Sequence, residues 1–387
     1  MTKFKKILGY VLVAVIASGI TLGATALADY RNRTKMDEIN SLIQRYYVGE
    51  ADRDAMEEAA AYAMIDAMGD PWSYYIPASQ YDAYMEQMNN VYVGIGISVG
   101  STEDKTGMEV KSVEPDGPAK EAGVLPGDII VAVEGQAVAQ IGMDAATALI
   151  RGEENTEVVL TILRDGETMQ IPVIRKTLPR IVTSGQLLED NIGLVTIENF
   201  DARCAQETIA IIEQLKDQGA KALIFDVRYN SGGYKKELIK ILDYLLPEGV
   251  LLRSEDYRGK QEVVYSDEKC LEMPMAVLVN GESYSAAEFF AAALEEFNWA
   301  FTAGTNTTGK SRSQNTFRLS DGSAVGFSTG QYFTPKGVSL AEVGGLKVNI
   351  PVEITEEMDA KIYFDLVPPE EDPQIQAAVQ KLLEKMD

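Results

Sequence analysis

The chain has 387 residues, 46% of them hydrophobic and 24% charged. That suffices for about two or three domains with their own cores and excludes a disordered or fibrous protein. With 35 Lys and Arg against 59 Asp and Glu, the formal net charge of −24 repels phosphate backbones and argues against nucleic acid as a partner. Histidine is absent, so Ser-His-Asp and Cys-His nucleophiles and histidine-ligated metal sites are excluded unless another chain supplies the imidazole. The two cysteines, Cys204 and Cys270, are too few for a disulfide scaffold or a four-Cys metal site; they either pair or serve as small core residues.

At the N-terminus, Lys3, Lys5 and Lys6 precede an uncharged apolar stretch, 7–28, followed by Asp29 and Arg31. A run of ~20 apolar residues crosses a bilayer as a helix, and lysines before it hold its start in the cytoplasm. Residues 1–30 are expected to be a single-pass anchor in the cell membrane, with the bulk of the chain extracytoplasmic. Ala26-Leu27-Ala28 also fits a small-residue cleavage site, in which case the segment is a signal peptide and the protein is secreted.

Residues 31–90 form an N-terminal helical region. Ile39, Leu42, Ile43 and Tyr46 fall on one stripe, and an Ala/Met-rich run, 56–68, ends at Gly69-Asp70-Pro71. Such a helical pair either packs on a partner subunit, making a homodimer, or caps the next domain.

From 91 to 176 the period changes to short β runs at 92–99, 108–113, 129–133, 158–163 and 169–174, with one helical run at 143–150. Turns fall at Asp116-Gly117-Pro118, Glu134-Gly135 and Asp165-Gly166. Gly94-Ile95-Gly96, then Gly117-Pro118-Ala119 and Leu125-Pro126-Gly127-Asp128-Ile129-Ile130, resemble a PDZ domain. That resemblance implies binding of a peptide C-terminus as an added strand, its carboxylate held by backbone N–H groups of Gly94, Ile95 and Gly96.

Residues 177–367 alternate buried strands (193–197, 222–227, 275–279) with helices (205–217, 285–296), the pattern of an α/β domain. Residues 368–387 hold Asp372-Pro373-Gln374, a cap and first-turn proline, before a C-terminal helix. The fold class is thus mixed α/β and α+β, multidomain, with a membrane helix, a helical segment, a β-rich PDZ domain and an α/β core.

A serine hydrolase without histidine needs another base, and a lysine serves if burial lowers its pKa from ~10.4. Ser285 lies between an apolar strand and an apolar helix, where free helix N-terminal amides stabilise developing negative charge. Taken alone the segment reads as an ordinary Ser N-cap. Gly304 with Gly309-Lys310-Ser311 satisfies a phosphate-cradling P-loop, but 314–319 reads as a strand where that motif needs a helix.

Four motifs then fall in one order: Asp226-Val227-Arg228-Tyr229-Asn230-Ser231-Gly232-Gly233, Ser283-Tyr284-Ser285-Ala286-Ala287-Glu288, Thr308-Gly309-Lys310 with Gln314, and Tyr332-Phe333-Thr334-Pro335-Lys336-Gly337. Together they resemble the carboxyl-terminal processing peptidases, or tail-specific proteases, over roughly 39–383. The resemblance implies a ClpP/crotonase-like core and a Ser/Lys endopeptidase that forms an acyl-enzyme and needs no cofactor or metal. It implies Ser285 as nucleophile, Lys310 as general base and Gln314 as the residue orienting it by a hydrogen bond. Ala286 and a glycine of Gly232-Gly233 would supply the oxyanion hole, with Arg228, Asn230 and Glu288 as supports. The implied partner is a protein or peptide with an apolar C-terminus; a catalytically inactive peptide-binding scaffold is the alternative. Tyr284, Ala287, Ser311 and Gly345-Leu346-Lys347-Val348-Asn349 depart from the family pattern, and none of these departures removes the serine, the lysine or the glutamine.

Overall fold

The computed structural model describes residues 34–386, so the expected anchor at 7–28 lies outside the described residues. Among those residues, no helix is long and apolar enough to cross a membrane. The described residues divide into two units, with the boundary between Gly69 and Asp70.

In the first unit, α1 (Lys35–Tyr46) starts at Thr34, whose Oγ1 accepts from Asp37 N while Asp37 Oδ2 accepts from Thr34 N. This reciprocal capping satisfies two otherwise orphaned donors. The helix α2 (Arg53–Asp66) is capped by the side chain of Asp52. The expected stripe is present on α1, yet neither helix has a buried residue.

The second unit opens with β1 (Tyr74–Ile76), where the sequence pattern suggested continuing helix, followed by α3 (Ala78–Met88). Pro71 and Pro77 interrupt helix on either side, and three residues are too few to show a strand period.

The β-rich domain begins with β2 (Val91–Gly94) and β3 (Ile97–Ser101). The single strand expected at 92–99 is broken at Ile95-Gly96, where Gly96 takes φ +75. Next come β4 (Met108–Val113), the short α4 (Pro118–Ala122), β5 (Ile129–Val133), β6 (Gln136–Ala137) and α5 (Val138–Ile150), which Gly142 breaks at φ 80. Then β7 (Glu157–Arg164) and β8 (Glu167–Ile174) complete a sheet of order β3-β4-β5-β7-β8, and β9 (Lys176–Pro179) returns to pair with β2. That β2/β9 pair is the stem between this domain and the core.

The core contains β10 (Thr183–Leu187), β11 (Ile192–Ile197), α6 (Cys204–Asp217), β12 (Ala222–Asp226), α7 (Lys235–Leu245), β13 (Gly249–Asp256) and β14 (Gln261–Ser266). It continues with β15 (Met275–Val279), α8 (Ala286–Glu296), β16 (Ala300–Gly304), β17 (Arg312–Arg318), β18 (Ala324–Phe333) and α9 (Leu340–Val343). Last come β19 (Ile350–Pro351), α10 (Glu356–Tyr363) and α11 (Pro373–Met386). The main sheet runs β10-β11-β12-β15-β16-β19, parallel from β11 to β19 with β10 antiparallel at the edge. A second sheet runs β1-β18-β13-β14, with β17 also on β18.

The main sheet is covered on both faces. Leu223, Phe225, Val277 and Val279 face a core shared with α6, α7 and α8. Their neighbours Ala222, Ile224, Ala276 and Leu278 face α11 through Ile375, Ala378 and Leu382. Burial on both faces is why these strands read as continuous apolar runs instead of alternating ones. Both cysteines are free, Cys204 buried on α6 and Cys270 partly exposed, so of the two expectations for them the pairing falls.

Candidate active site

In a parallel sheet covered by helices, loops at the carboxyl ends of the strands form the natural binding crevice. Here the loops after β11, β12, β15 and β16 are joined there. Phe200 N donates to Gly232 O at 2.7 Å, Tyr284 N to Asn230 O at 3.1 Å and Thr308 N to Ser283 O at 3.3 Å. Asn230 is fully buried and itself bridges, its Nδ2 donating to Ile197 O at 2.7 Å. Below them, Arg228 reaches Asp226 at 2.5 Å and Asp372 at 2.9 Å, fastening the end of β12 to the start of α11.

Ser285 stands at the start of α8 with φ 58 and ψ −122. Ser285 is the N-cap of α8 and forms a capping box with Glu288, but without the extended backbone of an ordinary capping serine. A non-glycine residue in that region is strained and persists only where its surroundings enforce it. Glu288 Oε2 does so by accepting from Ser285 N at 2.9 Å, and Ser283, fully buried, donates its Oγ to Val227 O at 2.7 Å.

The same Glu288 oxygen accepts from Lys310 N at 2.8 Å, while Oε1 accepts from Gly309 N at 2.6 Å and Thr307 Oγ1 at 2.5 Å. One buried carboxylate therefore fixes the backbone of Ser285 and of Lys310 to a common atom. Burial pushes that carboxyl above its ordinary range, against the hydrogen bonds it accepts. The arrangement also disposes of the P-loop match, because the amides of Gly309 and Lys310 that would cradle a phosphate are held by a carboxylate of the chain itself.

Lys310 Nζ lies 4.6 Å from the centroid of the Trp72 ring and 5.3 Å from that of Tyr284. Burial lowers its pKa from the usual lysine range, and the carboxylates of Glu288 and Asp70 partly oppose that shift. A lysine lowered in this way is a better proton acceptor near neutral pH.

Gly232 has φ +94, and a Cβ there would come within 2.8 Å of Ser285 Cβ and 2.9 Å of Ala286 N. Its own N–H donates to Asn230 Oδ1 at 2.8 Å. Among the described residues no hydrogen bond engages the N–H of Gly233 or of Ala286. Of the two glycines, Gly232 provides room beside the serine and Gly233 has the available donor.

Gln314 departs from expectation. Its Nε2 donates to Ser328 Oγ and to Arg312 O, both at 3.1 Å, and among the described residues no hydrogen bond joins its side chain to Lys310. Gln314 sits directly opposite Ser328 on β17 and β18, just after a register shift, so its amide finds a cross-strand partner.

The profile of peptidase family S41 matches 191–352, and that of a PDZ domain matches 109–164. The chain is 30% identical over 358 residues to the carboxy-terminal processing protease CtpA of Bacillus subtilis (strain 168), spanning 89% of this chain and 76% of that protein. The chain belongs to peptidase family S41. It is also 27% identical over 330 residues to a probable CtpA-like serine protease of Staphylococcus aureus (strain N315), spanning 84% of this chain and 66% of that protein. Among solved structures, the photosystem II D1 C-terminal processing protease aligns over 84% of this chain and 88% of its own, with 24% identity and a TM-score of 0.47.

This S41 peptidase is thus a serine protease of the carboxy-terminal processing family with a PDZ domain. In that domain, Gly94 ends β2, Ile95 O accepts from Ala119 N at 2.9 Å and Gly96 O accepts from Glu114 N at 2.9 Å. The following strand, β3, is an edge of its sheet, with one side unpaired.

Two residues beside the candidate site carried no readable signal in sequence. Trp72 falls beside the proline of an apparent helix stop, far along the chain from Lys310. Asp201, 5% exposed and with no hydrogen bond to Oδ1, lies against Gly233, and burial alone raises its pKa to about 7.

Proposed function

We propose that Ser285 is the nucleophile and Lys310 the general base and acid of this S41 protease. Ser285 Oγ attacks the scissile carbonyl carbon and its proton passes to Lys310 Nζ. The resulting oxyanion accepts hydrogen bonds from Ala286 N–H and Gly233 N–H, an arrangement in which each donor is worth ~10²–10³ in rate. The C–N bond then breaks as the Lys310 ammonium protonates the leaving amine. Water, losing its proton to Lys310, attacks the Ser285 ester, and the Lys310 ammonium returns that proton to Ser285 Oγ as the acyl C–O bond breaks. The observation that carries this reading is the single Glu288 oxygen bonded to both Ser285 N and Lys310 N.

Within the PDZ domain, the substrate C-terminus adds as a strand along β3, its carboxylate at Gly94, Ile95 and Gly96, with apolar residues preferred because Ile97 and Val99 pack towards the domain core. The domain order supports a gating role, tested by whether removal of 91–175 abolishes or frees cleavage; unchanged activity contradicts it. The lysines and apolar stretch at the N-terminus support attachment to the cell membrane with the catalytic part outside, or secretion after Ala28. The apolar stripe of α1 supports a homodimer.

The deciding experiment is cleavage of a loosely folded protein with an apolar C-terminus, beside Ser285→Ala and Lys310→Ala. Cleavage by the parent and by neither variant is expected. Binding of the C-terminal peptide without cleavage by any of the three would favour a scaffold and contradict the proposal.

A further inference from the structure

A lysine that exchanges protons with a serine must be held in place and kept from bulk water, and in this structure neither Gln314 nor any carboxylate takes its head group. Among the described residues, Lys310 Nζ makes no hydrogen bond or ion pair; its partners are the faces of Trp72 and Tyr284. The two rings lie 5.6 Å apart at 37°, so the lysine head sits in an aromatic corner. Tyr284 is placed there by its position next to Ser285. Trp72 comes from a segment remote in sequence, and separate interactions fix it.

Trp72 N donates to Asp70 Oδ1 at 3.3 Å, Ser73 Oγ donates to Asp70 Oδ2 at 2.7 Å, and Arg312 pairs with Asp70 at 3.4 Å. Immediately after, β1 pairs with β18 from Tyr74↔Gly326 to Ile76↔Ala324. A Cβ on Gly326 would come within 2.2 Å of the Tyr74 ring, so that strand is seated with no spare room. The turn 70–73 is thereby anchored to the same sheet as Gln314, and it delivers an indole to the lysine.

We propose that Trp72 is a positioning residue for Lys310: its ring face holds the amine in reach of Ser285 and excludes water from it. The inference rests on Lys310 being the base of the dyad. An indole does two opposing things to a nearby lysine. Its π face attracts the ammonium form, while its bulk withholds the water that would otherwise solvate the charge. Replacing Trp72 by residues that keep only one of these properties separates positioning from mere packing.

The test measures kcat and KM against pH for cleavage of a loosely folded protein by the full chain, for the parent, Trp72→Leu, Trp72→Phe and Lys310→Ala. In Trp72→Leu the pocket stays dry but the π face is lost. We expect kcat to fall at least about tenfold with KM within about twofold, since a misplacement of ~1 Å can cost ~10². The acidic limb of the rate profile should move to lower pH, because the ammonium form loses its aromatic partner. Trp72→Phe, which restores a ring face, should recover most of the rate and return the limb towards the parent. A folded Trp72→Leu with parental kcat and an unmoved limb would overturn the inference. So would a Trp72→Phe variant as impaired as Trp72→Leu despite a parental melting temperature, since the ring face would then not be what matters. If Lys310→Ala retains parental activity, the dyad itself fails, and the positioning role with it; a dead Lys310→Ala beside a parental Trp72→Leu overturns only the role of Trp72.

Discussion

Glu288→Gln is the substitution that most sharply tests how the active site is assembled. The side chain is fully buried, and its two oxygens serve Ser285 N, Lys310 N, Gly309 N and Thr307 Oγ1. A glutamine turns one oxygen into an NH2 group. Facing Ser285 and Lys310, that group would oppose two N–H donors; facing Gly309 and Thr307 it opposes one, because a threonine hydroxyl can also accept. The variant adopts the second arrangement and leaves Gly309 N–H without an acceptor. A buried orphan donor costs ~1–3 kcal/mol, and the remaining bonds lose the extra strength of a charged acceptor. Removing a carboxylate whose pKa burial has raised offsets part of this. The net loss should be about 2–4 kcal/mol, read as a fall in melting temperature of at least ~4 °C. Because the acceptor shared by Ser285 N and Lys310 N becomes a neutral amide oxygen and Gly309, next to Lys310, loses its anchor, kcat should drop by about 10- to 100-fold with little change in KM. Thermal unfolding and steady-state cleavage measure both quantities, and a variant with parental values of each would refute the role given to Glu288.

Other perturbations have equally definite outcomes. Gly232→Ala forces a Cβ to within 2.8 Å of Ser285 Cβ at φ +94; cleavage should fall by at least ~10² while the PDZ domain binds C-terminal peptide, followed by fluorescence polarisation, as in the parent. Asp201, raised from 3.8 to about 7, keeps its proton in the folded state over a range where the unfolded chain has lost it. Stability should therefore be greatest below about pH 4 for this group and decline as pH rises to about 7, by at most about 4 kcal/mol. Asp201→Asn should flatten that decline in urea titrations at pH 4.5 and 8; an identical pH dependence in both proteins would contradict it. Arg228→Met leaves the carboxylates of Asp226 and Asp372 buried without their partner; a loss of about 3–5 kcal/mol in chemical unfolding is expected, and a change below ~1 kcal/mol would show that the ion pairs do not fasten α11.

The strands of the core sheet were legible because both their faces are buried, leaving unbroken apolar runs such as 222–225 and 275–279. Strand β1 was not, since Tyr74–Ile76 owes its state to pairing with β18, a partner remote in sequence. Within the candidate active site, Ser285, Lys310 and the glycines were visible as motif residues, and Glu288 as a support whose reach to both loops only the fold reveals. Gln314 carried the right motif position but a different partner, because side-chain direction on β17 is set by its pairing with β18. Trp72 was illegible for a related reason: what brings it to Lys310 is the seating of the turn 70–73 by Asp70 and Arg312, a tertiary contact with no local sequence signature.

The most direct measurement of the Ser/Lys chemistry is the rate at which a fluorophosphonate forms a covalent bond with the protein, with the modified residue mapped by mass spectrometry, in the parent and in Lys310→Ala. Labelling should fall on Ser285 and slow by at least ~10² without the lysine, the usual contribution of a positioned general base. Labelling at another residue, or at Ser285 with an equal rate in both proteins, would contradict Lys310 as the base that activates Ser285.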